Sequence, residues 1–249
     1  MQTSFYAGIG GVLSADIAVA EHQRELAFYA AVLTTGNPPL WQSDLLNSLG
    51  APIIGLGQKS PETDGLPMQW MPHFQVADVV SSANTAIAEG GTQLMRDPSD
   101  QCQWAVLADP AGATFGVIPV VDSAQAPDAT SGIICGLSLY SPDPTASADF
   151  YEQVIGWTQD PGPANPSTPI SEITMRGTND NPSAFIRPKA GANIPAVWLM
   201  HLSVGDLKES LLQVEQHGGR QIHQATDGHC IVQDPLGVCF ALSDRSEGN

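Results

Sequence analysis

His73-Phe-Gln-Val-Ala-Asp78 opens a stretch that runs through Asp109-Pro-Ala-Gly-Ala-Thr-Phe115 to Val120. His73–Val76 reads as a strand. Asp78 reads as the N-cap of a helix that Gly90-Gly91 stops. Strand-like runs follow at Thr92–Met95, Gln103–Leu107 and Thr114–Val120, with Asp109-Pro-Ala-Gly112 turning between the last two. The stretch then occurs again. His201-Leu-Ser-Val-Gly-Asp206 reopens it, Gly218-Gly219 stops the helix and Asp234-Pro-Leu-Gly237 makes the last turn. The offset is 201 − 73 = 128 residues, and Val76/Val204, Asp78/Asp206 and Gly90/Gly218 keep it. A repeat of this period fixes the architecture before any single residue does.

A weaker copy precedes each of these units. Gly11–Val19 is a strand candidate, Glu21–Leu33 a helix with Leu26, Phe28, Tyr29 and Val32 at helical spacing, and Pro52–Leu56 a further strand candidate. Ile134–Tyr140 and Pro142–Ile155 repeat that strand and helix, and Phe28-Tyr29 and Phe150-Tyr151 are offset by 150 − 28 = 122. Ile170–Arg176 and Ser183–Arg187 read as strands around an Asn179-Asp-Asn-Pro182 turn. Residues 59–67 and 122–132 are linkers by composition. The expectation is an α+β chain of four βαβββ modules (8–58, 68–120, 133–188 and 195–243) paired into two domains, 8–120 and 133–243. A lone four-stranded module has one open face and bare edges, and pairing covers both. Each domain is then a curved mixed sheet with helices outside and a concave face suited to a small ligand.

Composition narrows the function. The 249 residues are 42% apolar and 14% charged, with a net charge of −17 and a pI near 4.3. Three lysines (Lys59, Lys189, Lys208) give no basic face for phosphates, so the expected partners exclude nucleic acid and anionic membranes. The acidity reads first as solubility and only second as attraction of a cationic ligand. Cys102, Cys135, Cys230 and Cys239 show no Cys-x-x-Cys spacing, which predicts free thiols in a reducing cytoplasm. No signal peptide is evident, and no apolar run reaches the ~20 residues of a membrane span. Gly-x-Gly-x-x-Gly, P-loop and Gly-x-Ser-x-Gly patterns are absent.

Phe28-Tyr29 and Phe150-Tyr151-Glu-Gln-Val-Ile-Gly-Trp157 resemble the "FYxxvLGW" helix end of the vicinal oxygen chelate (glyoxalase / bleomycin resistance / dioxygenase) superfamily. Asp109-Pro-Ala-Gly-Ala-Thr-Phe-Gly116 and Asp234-Pro-Leu-Gly-Val-Cys-Phe-Ala241 resemble its "DPxGxxxE" hairpin. The resemblance covers nearly the whole chain as a tandem member. In metal-using members, ligands stand at positions that here hold Ser14, Met71, Gly136, Leu199, Gly116 and Ala241. None is a ligand of the expected kind, so no cofactor is predicted, and glyoxalase I or extradiol dioxygenase chemistry is disfavoured.

His73 and His201 lie two residues after two of those positions and should face the same way, which makes them the candidate acid–base groups. Trp104, His229, Trp198, Phe74 and Tyr140 are candidates to wall a ligand, with Glu172 and Arg176 to orient a polar one. A lone strand histidine or buried tryptophan otherwise serves packing, and Trp157 reads as a core residue. Three readings follow. One is a metal-independent lyase or isomerase acting on a small organic molecule. Another is a non-catalytic protein that sequesters an antibiotic or toxin. The third is a metal enzyme with a displaced site at His201, His223 and His229. The tandem modules complete their own sheets, so a monomer or a homodimer is expected.

Overall fold

The computed structural model describes residues 6–37, 39–40, 54–122, 134–160, 172–178, 182–189, 194–225 and 228–244. The first half comprises β1 (Val12–Val19), α1 (His22–Leu33), β2 (Ile54–Gln58), β3 (Met71–Val76), α2 (Val79–Ala88), β4 (Thr92–Arg96), β5 (Ala105–Ala108) and β6 (Thr114–Pro119). The second comprises β7 (Ile134–Ser141), α3 (Pro144–Ile155), β8 (Thr158–Gln159), β9 (Ile173–Arg176), β10 (Pro182–Pro188), β11 (Trp198–Val204), α4 (Leu207–Gln216), β12 (Arg220–Gln224), β13 (Cys230–Gln233) and β14 (Cys239–Asp244). Modules two, three and four each run strand, helix and three strands. In module one β1, α1 and β2 are described. Its residues 41–53, the 123–132 part of the second linker, most of the Pro-rich loop after β8 and the 179–181 turn lie outside the described residues.

Short polar side chains start the helices. Asp78 Oδ1 accepts from Ser81 N–H at 2.6 Å, Asp143 Oδ1 from Ala146 N–H at 3.0 Å and Asp206 Oδ1 from Glu209 N–H at 2.8 Å. Each satisfies a backbone donor that the first helical turn leaves open. Helix α1 has no such cap. Gly156 ends α3 at φ 82°, where a Cβ would be strained.

The strands assemble into two mixed sheets. The N-terminal one has the order β2-β1-β3-β6-β5-β4, and the C-terminal one β12-β13-β14-β11-β7-β10-β9-β8. The antiparallel pairs β1/β3 and β7/β11 occupy corresponding places in their sheets. The helices cover one face of each sheet and meet across the halves, α1 on α4 and α2 on α3. A single hydrophobic core therefore runs through both halves. At its centre Phe74 of β3 lies 4.9 Å from the Trp157 ring and 5.4 Å from the Trp198 ring, centroid to centroid.

The recurrent Phe-Tyr and Asp-Pro motifs meet in this core. Tyr29 of α1 donates to Asp234 Oδ2 at 3.1 Å, and Trp70 Nε1 donates to the Tyr29 hydroxyl at 3.1 Å. On the other side Tyr151 of α3 donates to Asp109 Oδ2 at 3.1 Å, and Trp198 Nε1 donates to Tyr151 at 3.0 Å. The second oxygen of each aspartate holds its own hairpin, Ala111 and Ala113 N–H on Asp109, Leu236 and Val238 N–H on Asp234. Each motif tyrosine thus locks a hairpin of the opposite half. Among the described residues no helix is long and apolar enough to cross a membrane.

Candidate functional site

The site lies on the face of the N-terminal sheet that carries no helix. Strand alternation turns Ser14, Asp16 and Ala18 of β1 and Met71 and His73 of β3 to this open face. A cavity of about 490 Å³ opens there, with Leu66, Met71, Met95, Trp104, Val106 and Val117 among its apolar walls. Its polar lining includes Asp16 and His73.

His73 is held from two sides. Ser14 Oγ lies 2.9 Å from Nδ1, and Asp16 Oδ2 lies 3.6 Å from Nε2. Burial drives the His73 pKa below the ordinary histidine range, and the neighbouring Asp16 carboxylate opposes that shift without cancelling it. The imidazole is therefore neutral at neutral pH. In the tautomer whose Nδ1–H donates to Ser14, Nε2 can take a proton, and Asp16 stabilises the imidazolium that results.

Two glycines make room for the pair. His73 stands beside Ser14 on β1 and Gly116 on β6. A Cβ at 116 would lie 2.5 Å from His73 Cδ2. Asp16 pairs with Gly55 on β2, where a Cβ would collide with the Asp16 carboxylate. Ser14 and Gly116 are two of the positions that the family resemblance assigns to metal ligands. Here the histidine ring leans over one and bonds to the other, and the third, Met71, contributes a thioether to the wall. A hard or borderline divalent ion has no suitable donor set in this arrangement.

The C-terminal open face repeats the histidine with other neighbours. His201 pairs with Gly136 on β7 and Ala241 on β14. Its Nε2 lies 2.7 Å from Ser138 Oγ, and its ring centroid lies 4.5 Å from that of His229. Arg187 Nη1 lies 3.4 Å from His229 Nε2, and Arg187 Nε donates to Glu172 at 2.6 Å. Tyr140, Ile194, Leu199, Ile231 and Cys239 pack together on the same side.

The predicted site residues therefore separate into groups. His73 and Trp104 share the N-terminal cavity. His201, His229 and Glu172 are linked through Arg187 on the C-terminal sheet, with Tyr140 paired to Arg187 in register. Arg176 is not joined to Glu172; it forms an ion pair with Asp160 at 2.5 Å. Phe74 and Trp198 are fully enclosed in the core between the halves, so neither walls a ligand. The reason is alternation: each sits one residue out of step with the open-face positions. Among the described residues no three His, Cys, Asp or Glu side chains converge as metal ligands. Asp16, Gly55, Gly57 and Ala18 escape sequence reasoning. The signal for Asp16 is an acidic residue at an alternate position of an otherwise apolar strand, two residues after a vacated ligand position.

Comparison with known proteins places the fold. The anthracycline biosynthesis protein DnrV of Streptomyces peucetius is 32% identical over 122 residues, covering 42% of this chain and 44% of DnrV. The chain thus spans less than half the length of the curated relatives it matches. Among solved structures, the Mn(II)-bound glyoxalase from Novosphingobium aromaticivorans superposes with a TM-score of 0.50 at 15% identity, covering 98% of this chain and 86% of that one. A catechol 2,3-dioxygenase gives a TM-score of 0.51 at 13% identity, covering 98% and 97%. At such identities the likeness concerns the fold. The glyoxalase-like domain family matches twice, over residues 14–118 and 137–243. With the tandem sheets and the recurring hairpins, this makes the chain a two-domain member of the glyoxalase-like family, within the vicinal oxygen chelate superfamily.

Proposed function

We propose that the N-terminal cavity binds a small, largely apolar organic molecule and that His73 moves a proton on it. The observation that carries this reading is a neutral histidine in an apolar cavity, held by a hydroxyl on one nitrogen and faced by a carboxylate on the other. The cavity falls within the roughly 300–1,000 Å³ usual for small-molecule sites. The reaction class is lyase or isomerase. His73 Nε2 takes a proton from a carbon next to a carbonyl, Asp16 stabilises the imidazolium, and the imidazolium, whose N–H exchanges with solvent, delivers a proton to another atom of the ligand. No step is routed through a metal, because Ser14, Gly116 and Met71 do not form a ligand set. DnrV is named for anthracycline biosynthesis, and a fused-ring ligand fits walls of Trp104, Met71 and Met95. Four free cysteines suit a reducing cytoplasm.

The runner-up reading is sequestration without chemistry, for which the apolar walls alone suffice. The two separate in heavy water. Cyclic ketones and quinones are screened by thermal shift, and each hit is incubated with protein in D2O and followed by NMR. The enzyme reading expects deuterium to enter the ligand with wild type and about 10²–10⁴-fold more slowly with His73→Gln, while binding is retained. Hits that bind both proteins equally and never exchange or turn over overturn it in favour of sequestration.

A further inference from the structure

The lining of the N-terminal cavity is one-sided in charge. Among the described residues of its lining Asp16 is the acidic member, and none is Lys or Arg. The Asp16 side chain is 46% exposed, and its ionic neighbour among the described residues is His73, 3.6 Å away. Lys59, close by in sequence, faces Asp64 at 3.8 Å and does not reach the cavity wall. Other wall groups also favour positive charge. Trp104 offers an indole face to a cation, and Met71 and Met95 offer polarisable sulfur. The net charge of −17 adds a long-range field of the same sign.

Register shows how local this arrangement is. The C-terminal equivalent of Asp16, 122 residues on, is Ser138, an uncharged residue. Gly57 pairs with Ala18 on β1, as Arg187 pairs with Tyr140 on β7. From these paired positions one open face presents a carboxylate and no cation, and the other presents a guanidinium, itself paired with Glu172.

We infer that the N-terminal cavity selects an apolar organic cation, its body against Trp104, Met71 and Met95 and its protonated amine beside Asp16. The inference rests on the cavity being the ligand site and adds the ligand's charge. Anionic ligands, thiol-peptide conjugates and carboxylic acids among them, are rejected by the same carboxylate.

Three probes that share the naphthalene ring system test it: 1-naphthylmethylamine, 1-naphthalenemethanol and 1-naphthoate, titrated by calorimetry into the intact chain at low salt. Wild type is expected to bind the amine about tenfold or more tighter than the alcohol, and the carboxylate more weakly than either. Asp16→Asn should bring the amine to the affinity of the alcohol and leave the alcohol unchanged. In wild type the amine's advantage should shrink as salt is raised, a readout that holds even where the variant folds poorly. Equal binding of all three probes overturns the charge inference and keeps the ligand site. An amine preference that survives Asp16→Asn assigns the selectivity elsewhere and overturns it too. Failure of all three to bind overturns the cavity reading itself.

Discussion

His73 and His201 occupy the same place in two copies of one sheet, yet only their backbones are treated alike. Each sits on the central antiparallel strand pair and leans on a small residue of the neighbouring strand. Around His73 the β1 and β2 positions are Asp16, Ala18, Gly55 and Gly57. Around His201 the corresponding β7 and β10 positions are Ser138, Tyr140, Phe185 and Arg187. Three small residues have thus become an aromatic ring, a second ring and a guanidinium, and a carboxylate has become a hydroxyl. The N-terminal cavity is the space those larger side chains would fill. Duplication kept the scaffold, and divergence acted on side chains that face away from the shared core.

The contrast is most sharply broken by making the N-terminal face resemble its partner. Ala18→Tyr places at Ala18 the ring that its counterpart Tyr140 carries, and the side chain points away from the core. It is expected to weaken ligand or naphthyl-probe binding by at least about 100-fold, with the thermal midpoint within a few degrees of wild type. Calorimetry and differential scanning fluorimetry read the two effects. Undiminished binding would show that the ligand sits elsewhere, and a collapsed midpoint would show that position 18 belongs to the core.

A second comparison concerns the two seams where the halves lock. Tyr151→Phe removes the donor to Asp109 Oδ2 and the acceptor for Trp198 Nε1, leaving two buried polar groups unpaired. The expected loss is about 1–3 kcal/mol, measured by urea denaturation. Tyr29→Phe should cost a similar amount through Asp234 and Trp70. A loss under about 0.5 kcal/mol in both, within the range of ordinary surface changes, would mean that packing alone joins the halves.

The seams also show which parts of the molecule the sequence discloses. The repeat, the capping aspartates and the hairpin turns are local patterns, and they give module order and strand direction. The partner of each motif tyrosine is not local: Tyr29 and Asp234 are 205 residues apart, and nothing in either motif names the other. The candidate site divides in the same way. His73 is legible because it follows a vacated ligand position by two residues. The period of two that turns His73 outward also turns Phe74 inward, so the core placement of Phe74 and Trp198 is a consequence of the same alternation. Asp16 becomes meaningful only with the register that sets it over Gly55 and beside His73, and that register depends on how β1 pairs with both β2 and β3.

One seam carries a group that the other lacks. Glu25 of α1 is fully buried and lies against Asp234, with which its protonated carboxyl shares a hydrogen bond. Its counterpart 122 residues on is Ser147, which bonds to Ser141 at 2.7 Å. Burial first, and the Asp234 carboxylate second, push the Glu25 pKa from 4.5 up to about 8. The folded chain therefore keeps this proton across an interval in which the unfolded chain has lost it. Stability from this group is complete below about pH 4.5, falls as pH rises towards about 8, and levels off above. Burial also raises Asp109, which slopes in the same direction and persists in any Glu25 variant; burial raises Asp234 too, but Asp234 interacts with Glu25 and its slope changes with that residue. Glu25→Gln keeps the shape and removes the titration. Its thermal midpoint should match wild type near pH 4.5 and exceed it by a few degrees at pH 8.5, with the gap opening between those values. Parallel midpoints across the interval would mean that Glu25 ionises freely in the folded protein and that the asymmetry between the two seams has no energetic content.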